Sequence, residues 1–229
     1  MTVLAVPAIR HLRETRPREM RVEINTPSTP NPLEFALSPD SRYIVFVASG
    51  DGPQRLWLRA LDRTEAQPIA GTDSARFPFW SADSRSIGFF ASARLSRVDL
   101  SGGSPQVLAS AGAPRGGAWN GDGVILFVPP TAGPVLSVKA SSGEPSPATR
   151  LAPGQTAHRF PQFLPDGRHF LFYAVGTVEA AGIYLASLDG GEPKRLTAAD
   201  SAGSPLGADR IAFVRQGTLV TRDRRPAVS

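Results

Sequence analysis

One phrase returns five times along the chain, and its return limits the possible folds more than any other feature. The copies are FALSPDSRYIVFVAS from Phe35, FPFWSADSRSIGFFAS from Phe77, GGAWNGDGVILFV from Gly116, FPQFLPDGRHFLFYA from Phe160 and GSPLGADRIAFV from Gly203. Each joins a short apolar run, a turn rich in Pro, Gly or Asp, and a strongly β-forming run. Aligned on the turn aspartate, Asp40, Asp83, Asp122, Asp166 and Asp209 follow one another at 43, 39, 44 and 43 residues. A period of about 40 to 45 residues with four strands per unit is that of a propeller blade. The expected fold is therefore all-β, a β-propeller of about five four-stranded blades.

The register holds at finer grain. Three residues before each aspartate stand Leu37, Trp80, Trp119, Phe163 and Leu206, and four to six residues after it stand Phe46, Phe89, Phe127, Phe172 and Phe213. Recurring large apolar side chains of this kind belong in the layers between neighbouring blades, so most of the aromatic content is core. In the first blade the expected strands lie near 33–38, 43–49, 55–61 and 67–70. The first turn of each blade uses Pro and Asp as turn formers, and paired glycines in DLSGGSPQVL and SLDGGEPKRL allow tight hairpins. With 22 Gly and 22 Pro spread between apolar runs, the composition fits many short strands and tight turns. The aspartates are turn-makers first, and their wide spacing places no two of them together as an acid/base pair.

The ends depart from the pattern. The fifth unit stops after its third strand, near 219–222, while Met20–Asn25 (MRVEIN) alternates like one extra strand. Either that strand completes the last blade and closes the ring, or one edge is left open to a partner. The second arrangement is favoured, a propeller cut short at both ends whose function belongs to a larger parent. Residues 1–19 read as a flexible amino-terminal segment and 20–229 as the propeller. The apolar stretch Val3–Ile9 is far shorter than the roughly 20 residues that span a bilayer, and it lacks the charged start of a secretory signal.

The strings SPDSRYIVFVAS, FPFWSADSRSIGFFA, SLDGGEPKRL and FPQFLPDGRHFLFYA resemble TolB-like propeller repeats, and the likeness covers roughly residues 33 to 222. RLWLRALD, RFPFWSADSR, RGGAWNGDGVILF and HRFPQFLPDGRHFLF look more narrowly like the carboxy-terminal sensor half of certain bacterial membrane-anchored serine/threonine protein kinases. That resemblance implies a propeller outside the membrane, tethered through its parent's anchor, with VLAVPAIRHLRE as the anchor's trailing edge. It implies no kinase activity for these residues.

Signatures of chemistry are missing. There is no G-x-S-x-G elbow, no phosphate loop followed by a strand lysine and no H-R-D loop. With no cysteine and with His11, His158 and His169 not at ligand spacing, neither a metal site nor a cofactor is expected. The formal net charge of +5 comes from scattered arginines, with Lys139 and Lys194 the only lysines. Arg10, Arg13, Arg16, Arg18 and Arg21 form one terminal cluster, and Arg222, Arg224 and Arg225 another. They fit solvated tails or a juxtamembrane segment rather than specific nucleic-acid binding.

One constellation carries more. Seven residues before the turn aspartate, three units have arginine: Arg76, Arg115 and Arg159, with His158 beside the last. Leu33 and Ala202 hold the matching positions elsewhere. This position opens the innermost strand, so successive copies lie around one mouth of the channel. There they would either draw carboxylates and phosphates or stitch blades together by pairing with a carbonyl or an acid such as Asp73. The reading is a non-enzymatic binding propeller, the sensor or scaffold part of a bacterial signalling protein, with a protein or small anionic ligand at the mouth. Alternatives are the substrate-gating propeller of a serine hydrolase or peptidase, and a periplasmic TolB-like partner of envelope proteins.

Overall fold

The computed structural model describes residues 24, 26–29, 31–129, 132–141, 143–207 and 209–223. The expected 1–19 segment lies outside them, as does all of the expected Met20–Asn25 strand except Ile24. Of the terminal arginines only Arg222 is described.

Five antiparallel sheets follow one another along the chain. The first is β1 (Phe35–Leu37), β2 (Tyr43–Ala48), β3 (Arg55–Ala60) and β4 (Ala66–Pro68). The second is β5 (Arg76–Trp80), β6 (Ser86–Ala91), β7 (Arg94–Asp99) and β8 (Gln106–Ser110). The third is β9 (Gly117–Trp119), β10 (Val124–Phe127), β11 (Leu136–Lys139) and β12 (Ser146–Pro147). The fourth is β13 (Gln155–Phe163), β14 (His169–Gly176), β15 (Gly182–Ser187) and β16 (Lys194–Thr197). The fifth is β17 (Ser204–Leu206), β18 (Arg210–Arg215) and β19 (Thr218–Asp223), three strands among the described residues. Strands pair only with their sequence neighbours, and β1, β5, β9 and β13 lie side by side. Those are the innermost strands of an all-β propeller of five blades, as the repeat period required.

The core is a stack of layers between blades. Val45, Val47 and Leu56 of the first blade meet Trp80, Ile87 and Phe89 of the second. Phe79, Phe90 and Leu95 meet Ile125, Phe127 and Val138 of the third. Leu126, Val128 and Val135 meet Phe170, Phe172 and Tyr184 of the fourth, whose Leu171 and Ile183 meet Ile211 and Phe213 of the fifth. Alternation along each middle strand supplies both faces, which is why β2, β6 and β14 read as near-continuous apolar runs. All five recurring phenylalanines, Phe46, Phe89, Phe127, Phe172 and Phe213, are buried.

The residues three before the aspartates behave less uniformly. Trp80, Trp119 and Phe163 each pack against the preceding blade. Leu37 lies on the corresponding face of the first blade and is 57% exposed. Leu206 is 50% exposed for a different reason. The turn of the fifth blade is shorter, so Pro205 pairs with the buried Ile211 while Leu206 pairs with Arg210. A one-residue shift in a strand sends a side chain to the opposite face. Leu37 and Leu206 are thus corrections to the expected core.

The turn aspartates do the work expected of them in three blades. Asp40 accepts from the Ser38 hydroxyl and the Arg42 backbone N–H, and Asp83 accepts from the Ser81 hydroxyl and the Arg85 backbone N–H. Those hydroxyls hold both carboxyls below their ordinary pKa. Asp166 accepts from the backbone N–H groups of Arg168 and His169. In the third blade the job passes to Asn120, whose Oδ1 accepts from the N–H groups of Asp122 and Val124 while its Nδ2 donates to the Gly167 carbonyl. Asp122 marks the register, but Asn120 fastens the turn.

Candidate functional site

The three arginines share a local backbone that their sequence dictates. Arg76-Phe77-Pro78 and Arg159-Phe160-Pro161 each put a proline, which has no N–H for the ladder, just inside the first strand. The pairing with the second strand slips at both places, between Arg76 and Phe79 and between Arg159 and Gln162. Phe77 and Phe160 take left-handed backbone at φ 47° and 52°, a conformation that costs a non-glycine residue about 1 kcal/mol or more. Each is pinned by its amide: Phe77 N–H donates to Glu34 Oε2 and Phe160 N–H to the Arg115 carbonyl. Gly116 is the third copy, at φ 91°, and a side chain there would crowd the Phe160 backbone. That glycine leaves room for the Phe77 and Phe160 rings to meet edge-on, with centroids 6.4 Å apart.

The side chains then diverge. Arg76 donates through Nε and Nη2 to Glu34 Oε1, at 3.0 and 2.5 Å, and lies over the Phe77 ring. Glu34 is nearly buried while Arg76 is half exposed, so one carboxylate from the first blade gathers an arginine and an amide of the second. Asp73, the acid expected for this stitching, pairs with Arg55 instead, at 3.4 Å. Arg115 donates to the Pro114 carbonyl and has no carboxylate partner among the described residues. Arg159 sits opposite Tyr173, a residue of the layer toward the fifth blade, and its Nε is buried without a hydrogen-bond partner among the described residues.

His158 reaches no solvent. It is fully buried against Phe172, ring centroids 4.3 Å apart. Gln155 Oε1 lies 2.9 Å from His158 Nε2 and also accepts the Ala152 backbone N–H, so it is the amide oxygen and Nε2 carries the ring proton. Nδ1 then accepts from the Thr149 hydroxyl at 2.7 Å, which itself accepts the Val135 N–H. Burial pushes this imidazole down from 6.5 to about 4. His158 is a neutral strut joining the third and fourth blades.

Of the four expected site residues, the structure brings Arg76 and Arg115 together. They line one cavity of about 330 Å³ between the second and third blades, together with Ser74, Phe77, Ala91 and Ala113. Its wall includes the Ser92-Ala93 hairpin turn, where both residues have left-handed backbone. Arg159 and His158 do not line it. Larger hollows of about 780 and 680 Å³ lie among the first turns of the blades, at the opposite end of the inner strands. Asp83 lines both, and its carboxylate is already committed to its own turn. Glu34, Thr149 and Gln155 were not singled out from the sequence. Glu34 is 42 residues from Arg76, and no local motif links them.

No group of three or more His, Cys, Asp or Glu among the described residues could hold a metal ion. No described helix is long and apolar enough to cross a membrane. No protein-family model matches the chain, and no curated protein is significantly similar to it. Solved structures match well in shape. TolB from Acinetobacter baumannii superposes with TM-score 0.69 at 17% identity, over 84% of this chain and 51% of its own. The fold is TolB-like. A putative TolB from Agrobacterium tumefaciens gives 0.62 at 19% identity, over 85% and 71%. An oligogalacturonate lyase in complex with manganese gives 0.59 at 17%, over 82% and 61%. The chain thus spans about half the length of the Acinetobacter TolB. Enzymes and TolB proteins share this architecture, so a TolB-like propeller is assigned a role from its site and not from its fold.

Proposed function

We propose that this TolB-like propeller is a non-enzymatic binding module, the sensing or scaffold part of a bacterial signalling protein, which takes an anionic ligand or the anionic group of a protein at its arginine-bearing mouth. The observation that carries the reading is the cavity rimmed by both Arg76 and Arg115. Arg76 is ion-paired with Glu34, whereas Arg115 offers a guanidinium with no carboxylate partner among the described residues. Guanidinium groups lining a recess attract a carboxylate or phosphate more strongly than the same cations on a flat wet surface. Recognition by loops and strand ends on a rigid frame is also the usual arrangement in binding proteins.

The test is calorimetric titration of the protein with inorganic phosphate and with succinate, comparing the parent with Arg115→Gln. Arg115 is chosen because its side chain ties no blades together. At least one anion should bind, with affinity about fivefold or more weaker in the variant and an unchanged unfolding midpoint. Equal binding by both proteins, or no binding of either anion, overturns the anionic mouth. The place in a signalling protein is tested by the parent gene: an encoded kinase domain and membrane helix support it, and an encoded hydrolase with a nucleophile elbow overturns it.

A further inference from the structure

We infer that Arg159 is a second anion-receiving side chain of the mouth, taking a carboxylate from another molecule as Arg76 takes that of Glu34. The inference rests on the anionic-mouth reading and adds a site apart from the recess at Arg76 and Arg115. The fold supplies its own template. Glu34 stands six residues before its turn aspartate, and from the first blade it receives the Arg76 guanidinium and the Phe77 N–H of the second. The same place in the third blade, which would serve Arg159 and Phe160 of the fourth, is Gly116. Its backbone is left-handed at φ 91°, and a Cβ there would lie 3.2 Å from the Phe160 Cα, so the position resists any side chain. The Phe160 N–H donates instead to the Arg115 carbonyl, at 2.8 Å. A main-chain carbonyl thus takes over half of what Glu34 does. The other half, an acceptor for the guanidinium, has no replacement.

Arg159 makes no hydrogen bond or ion pair to a described residue, and its Nε is buried. A guanidinium has five N–H donors and cannot shed its charge, so a dry, unmatched Nε–H is unfavourable and calls for an acceptor. Arg159 and Tyr173 are cross-strand partners and share a face, and Tyr173 belongs to the layer toward the fifth blade. There the fifth blade carries Ala202 and Gly203 at the places held by Arg76 and Phe77 in the second. Its inner strand β17 also stays farther from β13 than the other inner strands are from one another. Short residues and a wider spacing leave this inner edge open, and Arg159 as a whole is only half-buried. A carboxylate oxygen accepting from Nε and Nη2 together, as Glu34 Oε1 does at Arg76, would satisfy the buried Nε.

The experiment follows the arginine Nε–H signals of the 15N-labelled protein by NMR during titration with sodium acetate. Sodium chloride at matched ionic strength is the control, and Arg159→Lys identifies the Arg159 signal by its loss. We expect that signal to move saturably with acetate and not with chloride. By calorimetry, Arg159→Gln should lose the acetate site, about tenfold or more in affinity, while Arg115→Gln leaves it within about twofold. Without acid, Arg159→Gln should keep the parent's unfolding midpoint, because no bond within the protein is lost, whereas Arg76→Gln should lower it. The capped peptide acetyl-Ala-Glu-Ala-amide separates the sources of the carboxylate: tighter binding than acetate at Arg159 assigns an acidic side chain of a polypeptide, and weaker binding a free small acid. An Arg159 signal that ignores acetate, or moves equally with chloride, overturns the inference. A lowered midpoint in Arg159→Gln also overturns it, in favour of a stitching role. Acetate that shifts Arg115 but not Arg159 overturns this site and leaves the anionic mouth standing, and acetate that shifts neither overturns both.

Discussion

Lowering the pH from 7 to 4 should weaken this propeller mainly through one residue, His158. In the folded chain its imidazole is neutral and held at about 4, against 6.5 for an unburied histidine. Between those two values the unfolded chain binds a proton that the folded chain does not, so stability rises with pH across that window and falls as the pH drops through 6.5. The contribution is complete near pH 4 and constant below it. A displacement of that size corresponds to about 3 kcal/mol. The carboxyls of Asp40, Asp83 and Asp166 are lowered from 3.8, so the stability they add is lost mainly below the window. The assay is urea unfolding at half-unit steps from pH 7.5 to 4 for the parent and for His158→Asn. The asparagine variant should start less stable, since it loses the bridge from Thr149 to Gln155, but its curve should be flatter by about 3 kcal/mol over the range. Parallel curves, or a ring titration of His158 near 6.5 by NMR, would refute the reasoning.

Two further outcomes follow from packing and turn chemistry. Asn120→Ala should destabilise by about 1–3 kcal/mol, because three hydrogen bonds are lost and the amides of Asp122 and Val124 are orphaned, whereas Asp122→Ala should stay within about 0.5 kcal/mol; chemical denaturation of both variants checks the order, and a reversed order sinks the assignment. Phe79 lies against Gly88 of its own blade and Gly117 of the next, with no room for a Cβ at either, so Gly88→Ala should cost about 1–3 kcal/mol by overpacking, measured by thermal unfolding, and a neutral result would show that the ring has space to move.

Much of the fold was legible because its determinants are local. The Ser38-Pro39-Asp40 and Ser81-Ala82-Asp83 turns close within six residues, and strand alternation fixes which phenylalanines face inward. The third and fifth units show where that legibility ends. Asn120 takes over from the aspartate two positions away, and a shorter turn in the fifth unit rotates Leu206 out of its layer. Both are offsets of one or two residues, which an alignment on the aspartate hides.

The candidate site divides along the same line. The sequence by itself determined the period, the blade layers and the recurrence of arginine seven residues before the turn aspartate, because each is written within a single repeat. Only the tertiary structure decided what those arginines do. Glu34 and Arg76 meet across 42 residues because neighbouring inner strands lie side by side. His158 is sealed in because the third blade supplies Thr149 and Val135 behind it. Arg115 shares a cavity with Arg76 because the inner strands that they open lie side by side. Side chains that occupy equivalent places in the repeat therefore differ in role, since each is flanked by a different pair of blades and it is the neighbours that set burial, partner and charge.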